Sequence, residues 1–177
     1  MLHNNIVLIG FMGTLKSALG YMLAKRLNAG FIDTNDFLET RQKRSTRYIQ
    51  SIHGPDYLRA LERHVVARSC EYSGIVISCS GSIPYDPHNM ALLRRNGFVV
   101  WLTSSPRDII ERAGCRHPLS GQPPDEMINI INRSAAVYSK YCDMAFDTSG
   151  GSDRKSLYDL SYRLHLELSS FQIPARA

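Results

Sequence analysis

Long hydrophobic runs, internal repeats and low-complexity segments are all missing from this sequence of 177 residues. The longest apolar stretches cover residues 6–9 and 98–102. Each is far shorter than the roughly 20 apolar residues that a membrane-spanning helix needs. No basic and then apolar leader precedes the first stretch. These absences argue against a membrane protein, and we expect a cytoplasmic one.

Cysteine is scarce, and its spacing matches no common metal or redox motif. The sequence contains only Cys70, Cys79, Cys115 and Cys142. No two of them form a C-x-x-C pair, and no histidine stands at ligand spacing from them. Zinc-binding and redox-motif functions therefore lack support.

The composition is typical of one compact domain. Hydrophobic residues make up 44% and charged residues 21% of the chain, which excludes collagen, coiled-coil and disordered classes. Lys and Arg number 21 against 16 Asp and Glu, and the resulting net charge of +5 suits an anionic ligand without indicating a polymer. We expect a single domain over residues 1–177 that acts as a monomer.

Short apolar runs alternate with amphipathic segments of helical length. Strands are predicted over residues 5–9, 31–33, 75–78, 98–102 and 144–146. Helices are predicted over residues 17–27, from Pro55, near Pro106, near Asp125 and over about 152–169. This alternation favours an α/β fold in which helices cover both faces of a parallel sheet. Ligands of such sheets bind at the carboxyl ends of the strands.

The segment after the first strand, residues 6–17, reads IVLIGFMGTLKS and is nearly a P-loop. In that motif backbone N–H groups surround the phosphates, a lysine bridges the β and γ groups, and a hydroxyl binds Mg²⁺. The sequence therefore predicts a nucleotide site formed by Gly10, Met12, Gly13, Thr14, Leu15, Lys16 and Ser17.

Leu15 stands where the motif expects a glycine. If this position needs a positive φ, a leucine there costs on the order of 1–2 kcal/mol, and its Cβ would also crowd the path of the phosphates. We expect weakened nucleotide affinity. A flipped local backbone or an enlarged loop would restore binding, and the sequence leaves both open.

Together with FIDTND at residues 31–36 and GPDYLRALE at residues 54–62, this loop resembles the shikimate kinase family. The similarity keeps family order and spacing from Asn5 to about Thr148. It implies a three-layer P-loop NTPase fold whose five parallel strands run in the order 2-3-1-4-5, with a lid at about residues 113–125. It also implies transfer of the γ-phosphoryl group of ATP to the 3-hydroxyl of shikimate with Mg²⁺, a step of aromatic amino acid biosynthesis.

The resemblance assigns roles to retained residues. Lys16 would hold the β- and γ-phosphates, Ser17 would ligate Mg²⁺, and Asp33 would reach the metal through water. Arg59 matches the arginine that binds the substrate carboxylate. Considered alone, Asp33 would be read as a helix cap and Arg59 as a solvated residue.

Other family positions that contact the substrate are substituted. Asn35 replaces the second acid, and it can hydrogen-bond a hydroxyl but cannot take its proton near neutral pH. Ser80, Gly81 and Ser82 replace a run of three glycines, and the two added side chains narrow the substrate pocket. Ser134 replaces a second arginine that binds the carboxylate.

The lid motif is also altered, because His117 stands in place of its arginine and Arg116 precedes it. We expect the catalytic residues to be Lys16 with Arg116 or His117. Losing a general base costs roughly 10² to 10⁴ in rate, and losing an arginine at the transferred group costs roughly 10³ to 10⁵. Shikimate phosphorylation is therefore expected to be weakened or lost.

Three alternatives follow from these substitutions. The chain could be a non-catalytic binding or regulatory protein that uses the cleft for a nucleotide or metabolite, or its surface for a partner. It could also be a kinase adapted to another hydroxylated acid or small molecule. A basic cluster at residues 41–47 raises nucleic-acid binding, but with Tyr48 as its one aromatic neighbour it is read as a solvated helix face. We expect a small-molecule ligand, and neither a membrane nor a nucleic acid as partner.

Overall fold

A computed structural model describes residues 4–113, 122–151 and 154–170. Its strands are β1 (Asn5–Ile9), β2 (Gly30–Asp33), β3 (Ile75–Ser78), β4 (Gly97–Thr103) and β5 (Met144–Asp147). Its helices are α1 (Lys16–Leu27), α2 (Thr34–Gln42), α3 (Thr46–Ser69), α4 (Pro87–Asn96), α5 (Pro106–Ala113), α6 (Pro124–Ser139) and α7 (Arg154–Ser170). A short 3-10 helix, Ile83–Tyr85, lies between β3 and α4.

The strands form one five-stranded sheet in the order β2-β3-β1-β4-β5, and all neighbouring pairs are parallel. In the centre, Val7 of β1 lies opposite Ile77 of β3 and Val99 of β4. The predicted strands, their order and their direction are confirmed. Because the strands are parallel, all their carboxyl ends lie at one edge of the sheet, where ligands of such folds bind.

Successive residues of β1 pack alternately against the two helical layers on opposite faces of the sheet. Ile6 and Leu8 lie in the core cluster that includes residues of α1 and α7. Val7 and Ile9 lie in the cluster on the other face, which includes residues of α3, α4 and α6. This two-residue period is what a strand buried on both faces requires.

The long helix α3 is interrupted at Gly54, where φ is 82° and ψ is 170°. This left-handed φ is accessible to glycine at little cost. Pro55 follows and begins the second part of the helix, as the sequence predicts, because its missing N–H is not needed in a first helical turn. The break changes the direction of the chain before the residues that face the site.

Helix α4 was not predicted. Its amino end is capped by Asp86, whose carboxylate accepts a hydrogen bond of 3.0 Å from the N–H of His88, and Pro87 fills the first helical position. Met90 and Leu93 of this helix are fully buried. An Asp-Pro start followed by apolar residues three apart is a recognisable signature, so this helix could have been found from the sequence.

The predicted lid falls between α5 and α6, and residues 114–121 lie outside the described part of the chain. The expectations for Arg116 and His117 therefore rest on the sequence. Of the helices in the described ranges, none has the length and apolar character that crossing a membrane requires.

Substitution of Leu164 tests the packing of α7. Leu164 is fully buried in the cluster that α7 shares with α1 and the sheet, whereas Leu166 is 50% exposed. We expect Leu164→Ala to lower the free energy of unfolding by about 2–5 kcal/mol and Leu166→Ala to change it by less than about 0.5 kcal/mol. Urea unfolding of both variants measures this. Equal effects would contradict the described orientation of α7.

Candidate functional site

The loop between β1 and α1 has a backbone that only glycine fits at two places. Gly10 has a φ of 149° and Gly13 a φ of 86°. A Cβ on Gly10 would lie 2.5 Å from the carbonyl oxygen of Leu102, and one on Gly13 would lie 2.8 Å from that of Ile109. Both contacts are too short for real atoms, so these glycines let the loop pack closely against β4 and α5.

Leu15 is in the left-handed region, with φ 63° and ψ 19°. The condition stated for this position, a positive φ, is met. The strain of about 1–2 kcal/mol belongs to the backbone conformation itself, so a loop that keeps this shape bears it whether or not a nucleotide binds. The strain therefore lowers the stability of the fold, and only the side chain can alter nucleotide affinity.

The side chain of Leu15 joins the core beneath α7. It is partly buried against the cluster shared by α1, α7 and the sheet. A Cβ on Gly151 would lie 2.9 Å from Leu15 Cδ1, so this side chain reaches the loop after β5. Among the described residues, no side chain caps the first turn of α1. The N–H groups of that turn lack partners within the helix and can bind an anion.

Lys16 is half-buried at the start of α1. Its Nζ donates a hydrogen bond of 2.8 Å to the carbonyl oxygen of Phe11 within the loop. Burial lowers the pKa of Lys16 to about 8, although the negative charge of Asp33 acts in the opposite direction. The lysine is thus placed inside the loop in an environment that favours its charge once phosphates are bound.

Ser17 and Asp33 meet at the carboxyl end of the sheet. Ser17 Oγ donates a hydrogen bond of 2.6 Å to Asp33 Oδ2. Asp33 Oδ1 accepts the N–H groups of Asn35 and Asp36 at 2.9 and 3.4 Å, so the same carboxylate also caps α2. The interpretation of Asp33 as a helix cap is confirmed, and the same carboxylate also contacts Ser17, the residue predicted to ligate the metal. Hydroxyl and carboxylate oxygens are the ligands that Mg²⁺ prefers, so this pair fits the metal.

A buried carboxylate that the sequence analysis did not single out lies opposite the turn after β3. Glu62 of α3 is 5% exposed. Its Oε1 accepts a hydrogen bond of 2.7 Å from Ser80 Oγ and a second one from Ser82 Oγ. An acidic residue between Leu58 and Val65, at helical spacing on a buried face, is the signal that could have identified it.

The turn of Ser80, Gly81 and Ser82 lies next to the loop between β1 and α1, called the phosphate loop below. A Cβ on Gly81 would lie 3.8 Å from the carbonyl oxygen of Gly10, and the N–H of Ser80 donates to Thr34 Oγ1 at 2.8 Å. The carbonyl oxygen of Gly81 accepts a hydrogen bond of 3.0 Å from the hydroxyl of Tyr138. The turn is therefore held between the loop, the start of α2 and helix α6.

The family resemblance assigns two positions, Ser134 and Arg59, to the substrate carboxylate. Their surroundings in the structure are different. Ser134 is 1% exposed, and its Oγ donates to the carbonyl oxygen of Ile130 at 2.8 Å while the hydroxyl of Tyr85 donates to it at 2.7 Å. Arg59 Nη1 lies 3.3 Å from Asp56 Oδ1, and its side chain is 60% exposed. Ser134 thus takes part in packing, and the charge of Arg59 has an acidic neighbour.

Arg112 of α5 is a second residue missed by the sequence analysis. Its guanidinium donates to the carbonyl oxygens of Gly13 and Thr148 at 3.2 and 2.9 Å and to Ser104 Oγ at 3.0 Å. It also lies 3.4 Å from the carboxylate of Asp108. Arg112 therefore ties the phosphate loop to the segments after β4 and β5. No sequence motif predicts this role, because the hydrogen-bond partners of Arg112 come from three separate segments of the chain.

In this chain a strand is followed by a glycine-containing loop and then by a helix that begins at the half-buried Lys16. This arrangement defines the class of P-loop phosphate-binding proteins. Comparison with known proteins narrows the class. The shikimate kinase family model matches residues 12–164. A shikimate kinase of Dehalococcoides mccartyi is 33% identical over 174 residues, which are 97% of each chain. The chain belongs to the shikimate kinase family.

Solved structures agree with this assignment. A shikimate kinase from Bacteroides thetaiotaomicron superposes with a TM-score of 0.83 at 28% identity, covering 94% of this chain and 98% of that one. A shikimate kinase from Acinetobacter baumannii in complex with shikimate gives a TM-score of 0.84 at 22% identity over 96% of both chains. The resemblance and the P-loop fold inferred from the sequence are confirmed.

Replacement of Leu15 tests whether its side chain obstructs the phosphates. We expect Leu15→Gly to bind Mg·ATP about tenfold more tightly than the unchanged chain, because the motif predicts that the Cβ of Leu15 crowds the path of the phosphates even though the rest of the side chain packs in the core. Leu15→Asn is the matched control, since asparagine tolerates the left-handed region but keeps a side chain. Its affinity should stay near that of the unchanged chain. Calorimetric titration measures both, and no gain for Leu15→Gly would show that leucine is accommodated.

The pKa of Lys16 makes nucleotide affinity depend on pH. A group with a pKa of about 8 is about tenfold less protonated at pH 9 than at pH 7. Phosphates bind the protonated ammonium, so we expect Mg·ATP to bind about tenfold more weakly at pH 9. Lys16→Met should bind weakly at both values with little dependence on pH. A flat profile for the unchanged chain would contradict the assignment.

Proposed function

We propose that this chain transfers the γ-phosphoryl group of ATP, with Mg²⁺, to a hydroxyl of a small polyhydroxylated molecule, and that it phosphorylates shikimate slowly. One observation carries the proposal: Lys16 lies inside the loop beside the contact of Ser17 with Asp33. These groups are the ones that phosphate and metal binding need. Membership of a family that uses ATP and Mg²⁺ adds support.

The retained residues would bind and orient the nucleotide. The Lys16 ammonium would neutralise the β- and γ-phosphates, and the first-turn N–H groups of α1 would hold their oxygens. Ser17 Oγ would ligate Mg²⁺ directly, with Asp33 behind it through water. When bound, Mg²⁺ neutralises charge on the phosphoryl oxygens. Arg112 would keep the loop in place through its bond to Gly13.

The acceptor side would bind its hydroxyl without a strong proton acceptor at the family position. Asn35 is exposed in the first turn of α2, next to Asp33. Its amide can orient a hydroxyl but cannot take the proton. Phosphoryl transfer depends mainly on positioning and charge neutralisation, so this loss slows the reaction without removing its basis. Arg116 and His117 are proposed, from the family motif, to neutralise the transferred group.

The basic cluster gives no comparable support for nucleic-acid binding. The guanidinium of Arg44 lies 5.5 Å from the centre of the Tyr48 ring, so the one aromatic group here is engaged with a cation of the same region. Arg41, Arg44 and Arg47 are exposed. The arrangement fits a solvated face.

Restoring the acid tests the proposed reaction. We expect Asn35→Asp to raise kcat for shikimate at least about tenfold, because a general base contributes roughly 10² to 10⁴ in rate. Asn132→Asp makes the same chemical change on an exposed residue of α6 and should leave kcat unchanged. ADP release is followed in a coupled assay.

Lys16→Met gives the background rate of this assay. If the unchanged chain and Asn35→Asp both release no more ADP than Lys16→Met, with shikimate or with polyols, the proposed function is wrong. The non-catalytic alternative would then stand.

A further inference from the structure

A groove lies at the edge of the sheet, between the edge strand β2 and helix α2. Phe31 and Ile32 of β2 and Phe37 and Thr40 of α2 line it. Its volume of about 450 Å³ falls within the roughly 300–1,000 Å³ of small-molecule sites. The three apolar residues are each partly buried against a different core cluster, so the fold fixes the apolar lining.

The groove is separate from the part of the site assigned to the acceptor. Successive residues of a helix are turned by about 100° from one another. Asn35, which stands at the acceptor position, is therefore turned by about 200° from Phe37 of the groove. Leu38, which is turned by about 200° from Asp36, is buried in the cluster with residues of α3. Helix α2 thus presents different faces to the groove, to α3 and to the acceptor position.

Two opposite charges without partners border the groove. Asp36 and Arg41 both line it, and five residues of helix separate them by about 7.5 Å along the axis. Among the described residues, neither the carboxylate of Asp36 nor the guanidinium of Arg41 has a hydrogen bond or an ion pair. Asp33 also lines the groove, but its carboxylate already accepts hydrogen bonds from Ser17 and the start of α2.

The surroundings of Asp36 favour a cation beside it. Burial raises the pKa of the Asp36 carboxyl, and the negative charges of Asp33 and Glu39 raise it further. These carboxylates would attract a positive charge placed at this end of the groove. At the other end, the guanidinium of Arg41 is suited to a carboxylate. The phenyl rings of Phe31 and Phe37 offer an apolar surface between the two ends.

We propose that this groove is a second small-molecule site, which binds a flat aromatic molecule with an amine at one end and an acid at the other. The amine pairs with Asp36, the acid pairs with Arg41, and the ring packs on Phe31 and Phe37. The separation of the two charged residues suits a para-disubstituted benzene ring better than an α-amino acid, whose two charges are adjacent.

Three compounds form a matched series of probes. 4-(Aminomethyl)benzoate carries both charges on one ring, whereas benzylamine and benzoate each keep one of them. We expect the doubly charged compound to bind with a Kd on the order of 1 mM and at least about threefold more tightly than either of the others. NMR titration of the full chain measures the affinities and shows which backbone amides shift. The largest shifts should be those of β2 and α2.

Single substitutions separate the contributions to binding. Asp36→Asn should reduce the affinity for the doubly charged compound to that for benzoate, and Arg41→Gln should reduce it to that for benzylamine. Thr40→Trp places a large side chain in the groove and should abolish binding of all three compounds. Arg68→Gln and Glu71→Gln are the controls, because they remove charges of an ion pair outside the groove. They should leave the affinities unchanged.

Shifts confined to β2 and α2, with the expected ranking of the compounds and its loss in the two charge variants, would support the site. Equal affinities, no measurable binding of the doubly charged compound, or largest shifts in the phosphate loop would overturn it. So would variants of Asp36 and Arg41 that bind like the unchanged chain. None of these outcomes bears on the proposed phosphoryl transfer, which is assigned to other residues.

Discussion

Parallel pairing of β1 with β3 on one side and β4 on the other places three chain segments at the same edge of the sheet. The phosphate loop follows β1, the turn at Ser80 follows β3, and the segment bonded by Arg112 follows β4. If any strand were reversed, its following segment would lie about 15 Å away at the opposite edge. The contact of Arg112 with Gly13 is a consequence of this pairing. The contact of Ser80 with Thr34 follows in the same way from the parallel pairing of β2 with β3.

The site divides into two parts that differ in how far they keep the family pattern. In the phosphate part, Lys16, Ser17 and Asp33 make the contacts that nucleotide and metal binding need, and Leu15 adopts the backbone that a glycine would have had. In the part that the family resemblance assigns to the acceptor, Ser134 stands in place of an arginine, whereas Arg59 is retained and has Asp56 as an acidic neighbour. A change of acceptor would produce this division, because the phosphates of ATP stay the same whichever hydroxyl receives the phosphoryl group.

Local pattern was enough to predict most of the fold. The central strands β1, β3 and β4 are buried on both faces and read as apolar runs. The P-loop is one continuous segment, so its motif can be recognised from residue spacing alone. The motif raised a positive φ at Leu15 as a condition, and the structure meets it. Helix α4 was missed although Asp86 and Pro87 mark its start. Such a short helix competes with the turn that the same residues favour.

The acceptor site could not be predicted in the same way, because its decisive contacts join residues far apart in the chain. Glu62 and Ser80 are 18 residues apart, and Tyr85 and Ser134 are 49 residues apart. The sequence shows that serines replace glycines, but it does not show which side chain accepts the hydrogen bonds of their hydroxyls. It shows that Ser134 replaces an arginine, but it does not show that the Ser134 hydroxyl donates to the carbonyl oxygen of Ile130 in the same helix.

These long-range contacts also bear on how the fold accommodates the substitutions. A buried carboxylate left without donors destabilises a protein by about 1–3 kcal/mol or more. Ser80 and Ser82 both donate to Glu62 Oε1. Tyr85 donates to Ser134, the serine that stands at the position of an arginine. The three serines that replace family residues in this region thus each have a hydrogen-bonded partner. The hydroxyls that the substitutions introduce at these positions are thus accommodated in the fold with hydrogen-bond partners, as buried polar groups require.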